Sequence, residues 1–550
     1  MARQLSLALL SLLAAAPLAR AQAPPPWPIA GASSRRTYRG PNAGPASATG
    51  VAWSATLGNA TAYPIGPVID AAGNSYVVLA SFVNNGRYPQ PGPAVSLVAI
   101  SPSGATLWTA QGLGCPAAQP TCSQAYPTEA TISGDGSMAY VQVDYAAAGG
   151  GGRPTVLPGA VFAFFTATGL PVGGNWPATT AGAFFTDSAM PMTEFDGTVL
   201  AVDEIPNPGG GFPWSELVAY LPTGAPAWSL RIGGADFSNV AVVPGTGTVI
   251  LWPGFGLMTA VKGGSGTGAG QILWQANVSV GLRGGGGAYG RGGAMMAISE
   301  DSTRVIASAT NAPFIVWVNV ADGTVAINAS VPGMGGDGYA DFSRLVVGAD
   351  SSVYICSGYY YGGGGGINPV VALTSAGAPN AAWPAAAAPQ LSPPCVMDSA
   401  GRLYGAGRNT VIAVDSASGN VLWTAPMTTA GVRSLALGVA GQLYAMDGNG
   451  TLLSVGQAPA APLVTTRDVA AGAVGAGISL VLCAIAFGIW WFRCGGNRSA
   501  LATTAASYMP AINLPNMPKA ASLSGFYSSG GAAAAPAAAD AYGLIDGANL

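Results

Sequence analysis

The sequence contains no histidine. That removes the residue most often used as a general base or metal ligand near neutral pH, and it excludes a serine–histidine nucleophile system. Lysine is nearly missing as well, with only Lys262 and Lys519, and charged residues make up 8% of the chain, against roughly 25% in ordinary soluble domains. A net charge of -3 gives no electrostatic footprint for nucleic acid. No two cysteines are adjacent, and between Val51 and Gly456 no convincing amphipathic helix can be drawn. The glycine tracts Gly149–Gly152, Gly284–Gly287 and Gly362–Gly366 lack the Lys-Ser/Thr of a phosphate-binding loop. They read as flexible loops, not as phosphate cradles.

What fills the chain instead is a repeated phrase. In Thr410–Thr424 a short apolar run, Val411–Val414, stops at Asp415; a Ser-Ala-Ser-Gly turn follows, then a second run ending at Trp423. Two β-rich runs around such a turn read as an antiparallel hairpin. Equivalent hairpins are Leu97–Trp108, Val161–Trp176, Leu217–Trp228, Met258–Trp274, Ile315–Ile327 and Val370–Trp383. All end in Trp except the one that ends in Ile327. Each is preceded by another pair of runs around a Gly/Asp turn, the first at Asp70–Gly73 and the last at Asp398–Gly401. Four strands, A to D, repeating about every 50 residues are the pattern of β-propeller blades.

The eighth unit settles how the ring closes. It offers three strands, Leu435–Leu437, Leu443–Met446 and Leu452–Val455, and then stops. The missing D strand is at the other end of the chain, where Val51–Thr56 stands alone around Trp53. Pairing the two protects both sheet edges. The expectation is therefore an all-β, eight-bladed propeller over 51–456, closed by an N-terminal strand. Seven blades is the alternative count, since the second and third units are degenerate.

The phrase resembles the repeat of pyrroloquinoline-quinone-type propellers, the quinoprotein alcohol dehydrogenase-like group, which reads roughly Ala-x-Asp-x-x-x-Gly-x-x-x-Trp. Ala413, Asp415, Gly419 and Trp423 match it in place; Ala99, Gly104 and Trp108, and Ala219, Gly224 and Trp228, match without the Asp. The periodic tryptophans Trp53, Trp108, Trp176, Trp228, Trp274, Trp383 and Trp423 are then expected to pack between blades. For cofactor-using members the resemblance would imply a calcium cage of carboxylates and Asn, a ring-stacking Trp and a disulfide between adjacent cysteines. No such cysteine pair exists here, so no catalytic residue, metal or cofactor is carried over.

The ends of the chain carry topology. Arg3, the apolar run Leu5–Leu13 and Ala19-Arg20-Ala21 read in order as a secretory signal over 1–21. Residues 22–50, rich in Pro, Ala, Ser and Gly, read as a flexible linker. After a juxtamembrane stretch at 457–468, residues 469–492 are free of charge and long enough to cross a bilayer as a helix. Trp490, Trp491 and Phe492 sit where an interfacial belt belongs, and Arg493 and Arg498 follow. The positive-inside rule then puts the C-terminus in the cytoplasm and the propeller outside or in a lumen, in a plasma or internal membrane. The tail, 493–550, reads as disordered. It holds Cys494, a palmitoylation candidate, and Tyr542-Gly543-Leu544-Ile545, a sorting-signal match.

Secretion favours disulfides. Cys115 and Cys122 share one loop and would close a small ring; Cys356 and Cys395 would staple neighbouring blades, although spacing alone does not fix the pairing. Asn59, Asn277, Asn328 and Asn449 stand in glycan-acceptor tripeptides. The long insertions Phe82–Ser96, Gln111–Thr128, Asp144–Pro158, Pro206–Trp214, Val280–Gly293 and Ser357–Pro369 are B–C or D–A connections, which emerge on one face of a propeller. They carry Arg87, Tyr88, Arg153, Trp214, Arg283, Tyr289, Arg291, Tyr359, Tyr360 and Tyr361, the residue types that interfaces favour. The functional expectation is a single-pass type I membrane protein binding a protein or glycan through that face. The alternatives are a membrane-tethered quinoprotein-like oxidoreductase and a purely structural surface component.

Overall fold

The computed structural model describes residues 32–456, apart from 34, 48–49, 58–61, 85–88, 148–154, 181–191, 194–195, 206–213, 233–238, 253–256, 279–294, 309–313, 332–339, 360–369, 384–390, 408, 428–430 and 440. The expected signal, juxtamembrane segment, membrane span and tail lie outside them. Among the described residues no helix is long and apolar enough to cross a membrane.

The described chain forms eight antiparallel sheets, seven of them built from consecutive strands. The first strands of neighbouring sheets touch one another around the ring, so they line the centre and the fourth strands form the rim. This is an eight-bladed β-propeller. Blade 8 joins Val432–Leu437, Leu443–Asp447 and Thr451–Val455 to Val51–Thr56. The closing ladder runs Trp53 to Ser454, Ser54 to Leu453, Ala55 to Leu452 and Thr56 to Thr451. An eighth sheet completed from the N-terminal side excludes the seven-blade count.

Burial follows from sheets stacked face to face around an axis. A middle strand such as Thr248–Trp252 is covered on both sides and is buried at nearly every position, whereas the rim strand Ile272–Asn277 is not. The core is therefore divided among the seams. One apolar cluster joins Val78, Leu97 and Ala99 of blade 1 to Val141, Val143 and Phe164 of blade 2. Another joins Ile250 and Ala260 of blade 4 to Val305 and Val316 of blade 5.

The tryptophans couple the blades. Trp53 Nε1 donates to Pro102 O at 2.7 Å, Trp108 to Thr166 O at 2.8 Å, Trp176 to Pro222 O at 2.9 Å and Trp228 to Gly264 O at 2.8 Å. Trp274 donates to Val320 O at 2.7 Å and Trp383 to Ser416 O at 2.6 Å. Each acceptor belongs to the C–D turn of the following blade, and each ring lies on the glycine of that turn. Gly169 (φ +68°) and Gly323 (φ +75°) show why the position is glycine. Both are left-handed, and a Cβ on either would come within 2.5 Å of Trp108 or Trp274. On the same side of the blade, the strand-B tyrosines Tyr76, Tyr140, Tyr354, Tyr404 and Tyr444 tilt against Trp108, Trp176, Trp383, Trp423 and Trp53 at 5.4–5.8 Å. Burial, followed by the field of Asp70 and Asp398 respectively, pushes the Tyr76 and Tyr404 phenols well above their ordinary value.

Two expected D strands are reduced. In blade 2 the strand is Ala178–Thr179, beyond Trp176, with only a bridge from Phe164 to Pro171 before it. In blade 6 the fourth strand shrinks to one bridge, Leu373 to Pro379, where a proline withholds the ladder N–H.

The stretch read as a linker departs most from expectation. Residues 35–45 are not free of the fold; they lie along the ends of the inner strands of blades 5, 6 and 7. Ile298 N donates to Arg35 O and Val347 N to Thr37 O at 2.9 Å, and Met397 N donates to Tyr38 O at 2.8 Å. Gly44 N then reaches Asp398 Oδ2 at 2.8 Å, and Pro45 O accepts from Tyr404 Oη and Trp423 Nε1 at 3.2 Å. The last contact has a topological cause. Strands C and D of blade 8 come from opposite ends of the sequence, so no C–D turn exists to receive the Trp423 N–H, and Pro45 supplies the carbonyl. Arg35 and Arg39 both meet Glu300 at 3.3 Å.

Candidate functional site

The inner-strand ends carrying this strap lead into the A–B turns, so the strap occupies the inner rim of the short-turn face. The B–C and D–A connections emerge opposite. There, several stretches expected as loops are continued ladder. In blade 1, Phe82 pairs with Pro91, Val83 with Gln90 and Asn84 with Pro89. In blade 2, Tyr145 pairs with Leu157, Ala146 with Val156 and Ala147 with Thr155. Cys122–Pro127, expected within a loop, is a strand that pairs with the extended end of strand B of blade 2, ahead of the inner strand Thr131–Ile132.

The insertions of blades 1 and 2 also brace one another. Cys115 N donates to Pro93 O at 2.8 Å, tying the D–A connection to the B–C hairpin. Tyr145 Oη donates to Leu113 O at 3.0 Å from the next blade. The Cys115–Cys122 disulfide holds the connection, and Cys356–Cys395 joins strand B of blade 6 to strand A of blade 7. Both expected pairings are formed.

Of the proposed binding residues, Trp214 and Tyr359 are described. Arg87, Tyr88, Arg153, Arg283, Tyr289, Arg291, Tyr360 and Tyr361 lie outside the described residues. Trp214 begins strand C of blade 3 and pairs with Ile205. It is half-buried, and the guanidinium of the exposed Arg231 sits 5.0 Å from its ring centre. Sequence reading missed Arg231, which reaches Trp214 only because strands C and D are paired. Tyr359 ends strand B of blade 6. Asn277, Asn328 and Asn449 are exposed, the first two on rim strands; Asn59 lies outside the described residues.

Beneath the hairpins of blades 2 and 3 runs a polar seam that the sequence did not reveal. Gln142 and Asp144 lie two apart on strand B of blade 2, so they point to one side. Asp203 faces them from strand B of blade 3. Gln142 Nε2 approaches Val202 O at 3.0 Å, Asp144 Oδ1 at 3.3 Å and Asp203 Oδ1 at 3.4 Å. Burial pushes the nearby Tyr145 and Tyr220 phenols upward, and the fields of Asp144 and Asp203 push the same way. Among the described residues no three His, Cys, Asp or Glu side chains gather as a metal cluster.

No protein-family model and no curated protein matches the chain. Solved structures do resemble it. The computationally designed Ika8 protein is 12% identical, with a TM-score of 0.46, over 74% of this chain and 99% of that one. BamB from Moraxella catarrhalis is 14% identical, with a TM-score of 0.45, over 75% and 98%. The C-terminal WD40 domain of Sif2 is 10% identical, with a TM-score of 0.44, over 74% and 96%.

Proposed function

We propose that this chain is a single-pass type I membrane protein whose extracytoplasmic propeller, of the pyrroloquinoline-quinone repeat type, binds a protein or glycan partner through the loop face over blades 1–3. The observation that carries the reading is the Trp214–Arg231 pair of blade 3, an aromatic and a guanidinium presented together, while the insertions of blades 1 and 2 are braced by a disulfide and a cross-blade hydrogen bond. Tyr, Trp and Arg on a rigid support are the side chains that dominate recognition energy. The repeat type is supported by cross-strand Ala–Trp pairs, Ala99 with Trp108, Ala219 with Trp228, Ala260 with Trp274 and Ala413 with Trp423. Export is supported by the signal-like start and by the two disulfides. The span is supported by 469–492 followed by Arg493 and Arg498.

The test uses the full chain expressed in cells with a proximity-labelling enzyme at residue 31 and an epitope after Leu550. The epitope is expected to be detected only after permeabilisation. The labelled set is expected to lose its strongest members in W214A/R231A. Identical sets for the two chains would sink the loop-face reading, and an epitope accessible on intact cells would sink the topology.

A further inference from the structure

We propose that the seam between blades 2 and 3 is a binding site for a hard divalent cation, calcium by its chemistry, held by Asp144, Asp203, Gln142 and Thr180. The four side chains are 1%, 1%, 0% and 3% exposed. They come from two blades and from three places in the sequence, and all carry a side-chain oxygen.

Two observations point to a cation here, where Gln142 Nε2 lies within hydrogen-bond reach of Val202 O, Asp144 Oδ1 and Asp203 Oδ1. The first is that two buried oxygens at this seam stand without partners. Neither Thr180 Oγ1 nor Gln142 Oε1 makes a hydrogen bond, and leaving such an atom unsatisfied inside a protein is unfavourable. The second is Gly159. A side-chain carbon there would lie 2.6 Å from Thr180 Oγ1, 2.7 Å from Asp144 Oδ1 and 2.8 Å from Val143 O. Unlike the turn glycines, Gly159 has no left-handed φ. The residue is small because three oxygens crowd the space beside it, and Thr180 Oγ1 is aimed at the same point as the carboxylate.

The backbone prepares this arrangement. The B–C ladder of blade 2 shifts register between Val143 and Tyr145, which sets Asp144 out of the regular pairing with strand C. Such bulges re-aim side chains next to sites. Carboxylate, amide, hydroxyl and carbonyl oxygens with no nitrogen or sulfur ligand suit calcium, which takes 6–8 oxygens in irregular geometry. Two carboxylates match its charge. Turning the Gln142 amide over brings Oε1 in among the ligands in place of Nε2. Asp144 and Asp203 lie a few residues from the ends of their strands on the loop face, so a bound cation clamps the roots of the two hairpins at a calcium level typical outside the cell, about 1 mM. The site stands whether or not the loop face takes a partner.

The test is terbium luminescence and thermal unfolding of the full-length protein in detergent, stripped with EDTA. Tyr145 and Tyr220 adjoin the carboxylates and serve as sensitisers. Saturable terbium emission displaced by calcium, with a rise in Tm on adding calcium, is expected. G159A and T180V keep both carboxylates and are expected to weaken terbium binding about tenfold or more; D144N/D203N is expected to abolish it. Circular dichroism confirms that each variant is folded. Emission unchanged in G159A and T180V, or no calcium-dependent Tm shift in the native chain, would overturn the proposal.

Discussion

Trp317 faces Ile327 across strands C and D of blade 5, the reverse of the arrangement in blades 1, 3, 4, 7 and 8. In blades 1, 3, 4, 7 and 8 a small residue on strand C stands opposite a Trp on strand D, as Ala413 does opposite Trp423. In blade 5 the large ring has moved to strand C, where it is 1% exposed, and the branched aliphatic takes the rim. The seam to blade 6 is still filled. Gly377 of the next turn meets Ile327 Cγ2 at 2.8 Å and Trp317 Cζ3 at 3.4 Å from its Cβ position. What changes is the hydrogen bond: Trp317 Nε1 is buried without a partner, while every D-strand Trp donates to a carbonyl.

This pair is open to a double-mutant cycle. W317A is expected to cost about 3–5 kcal/mol through the cavity it leaves, and I327W alone about 1–3 kcal/mol by overpacking. W317A/I327W is expected to be more stable than W317A, because the new indole restores the common arrangement with its hydrogen bond. Urea unfolding of the four proteins measures this; a double variant weaker than W317A would mean the two side chains do not share one space.

The turn glycines should respond according to what lies above them. Ala at Gly323 must adopt a left-handed φ and push against Trp274. Ala at Gly245 must adopt φ +83° but meets nothing within 4 Å. G245A is expected to cost about 1 kcal/mol, and G323A about 2 kcal/mol more, from the lost ring contact. Equal losses in thermal melts would show that backbone strain alone demands glycine there.

The strap is expected to depend on Asp398. Its carboxylate accepts from Gly44 N, Tyr404 Oη, Ala400 N and Arg402 N. D398A leaves these donors unpaired and is expected to cost about 3 kcal/mol and to make residues 35–45 a site of rapid proteolysis. Cleavage at the native rate would show that the strap is held by its backbone bonds to the inner strands alone.

Stability should be flat across neutral pH and fall at both extremes. The Asp301 carboxyl is held below its ordinary value by the Ser299 hydroxyl first and the Thr303 amide next. At Asp135 burial works the other way, but hydrogen bonds from Ser133 and Ser137 outweigh it and the value is again lowered. A lowered folded-state value stabilises above the unfolded one, so this contribution is present above about pH 4 and is lost as pH falls. The buried tyrosines, raised chiefly by desolvation, act at the other end. Their contribution is present below about pH 10 and is lost as pH rises toward the folded value. The sequence holds no histidine, the side chain whose ordinary value lies in between. A Tm plateau from about pH 5 to 9 is expected; a step near pH 6.5 would contradict it.

The propeller repeat, the closing role of Val51–Thr56 and the places of the seven tryptophans were determined by the sequence alone, while the choice of eight blades over seven was made by the sheets. Each rests on a local, periodic signal: a turn residue with a fixed φ, an alternating or fully buried apolar run, a Trp at a set distance from a Gly. The four propeller cysteines were candidates for two disulfides, near in a loop or one blade apart, but their pairing was fixed only by the structure. Only the tertiary structure decided the rest. The strap has no period, and its partners Ile298, Val347 and Met397 lie hundreds of residues away, so composition made it look like a linker. Arg231 joins Trp214 through a strand pairing, and Trp317 stands in for a rim Trp through a cross-strand exchange that leaves the period of the motif intact. Gln142, Asp144, Thr180 and Asp203 carry no spacing rule, because their meeting depends on how two blades are rotated about the axis. Periodic packing is written along the chain; a polar site between repeats is written across it.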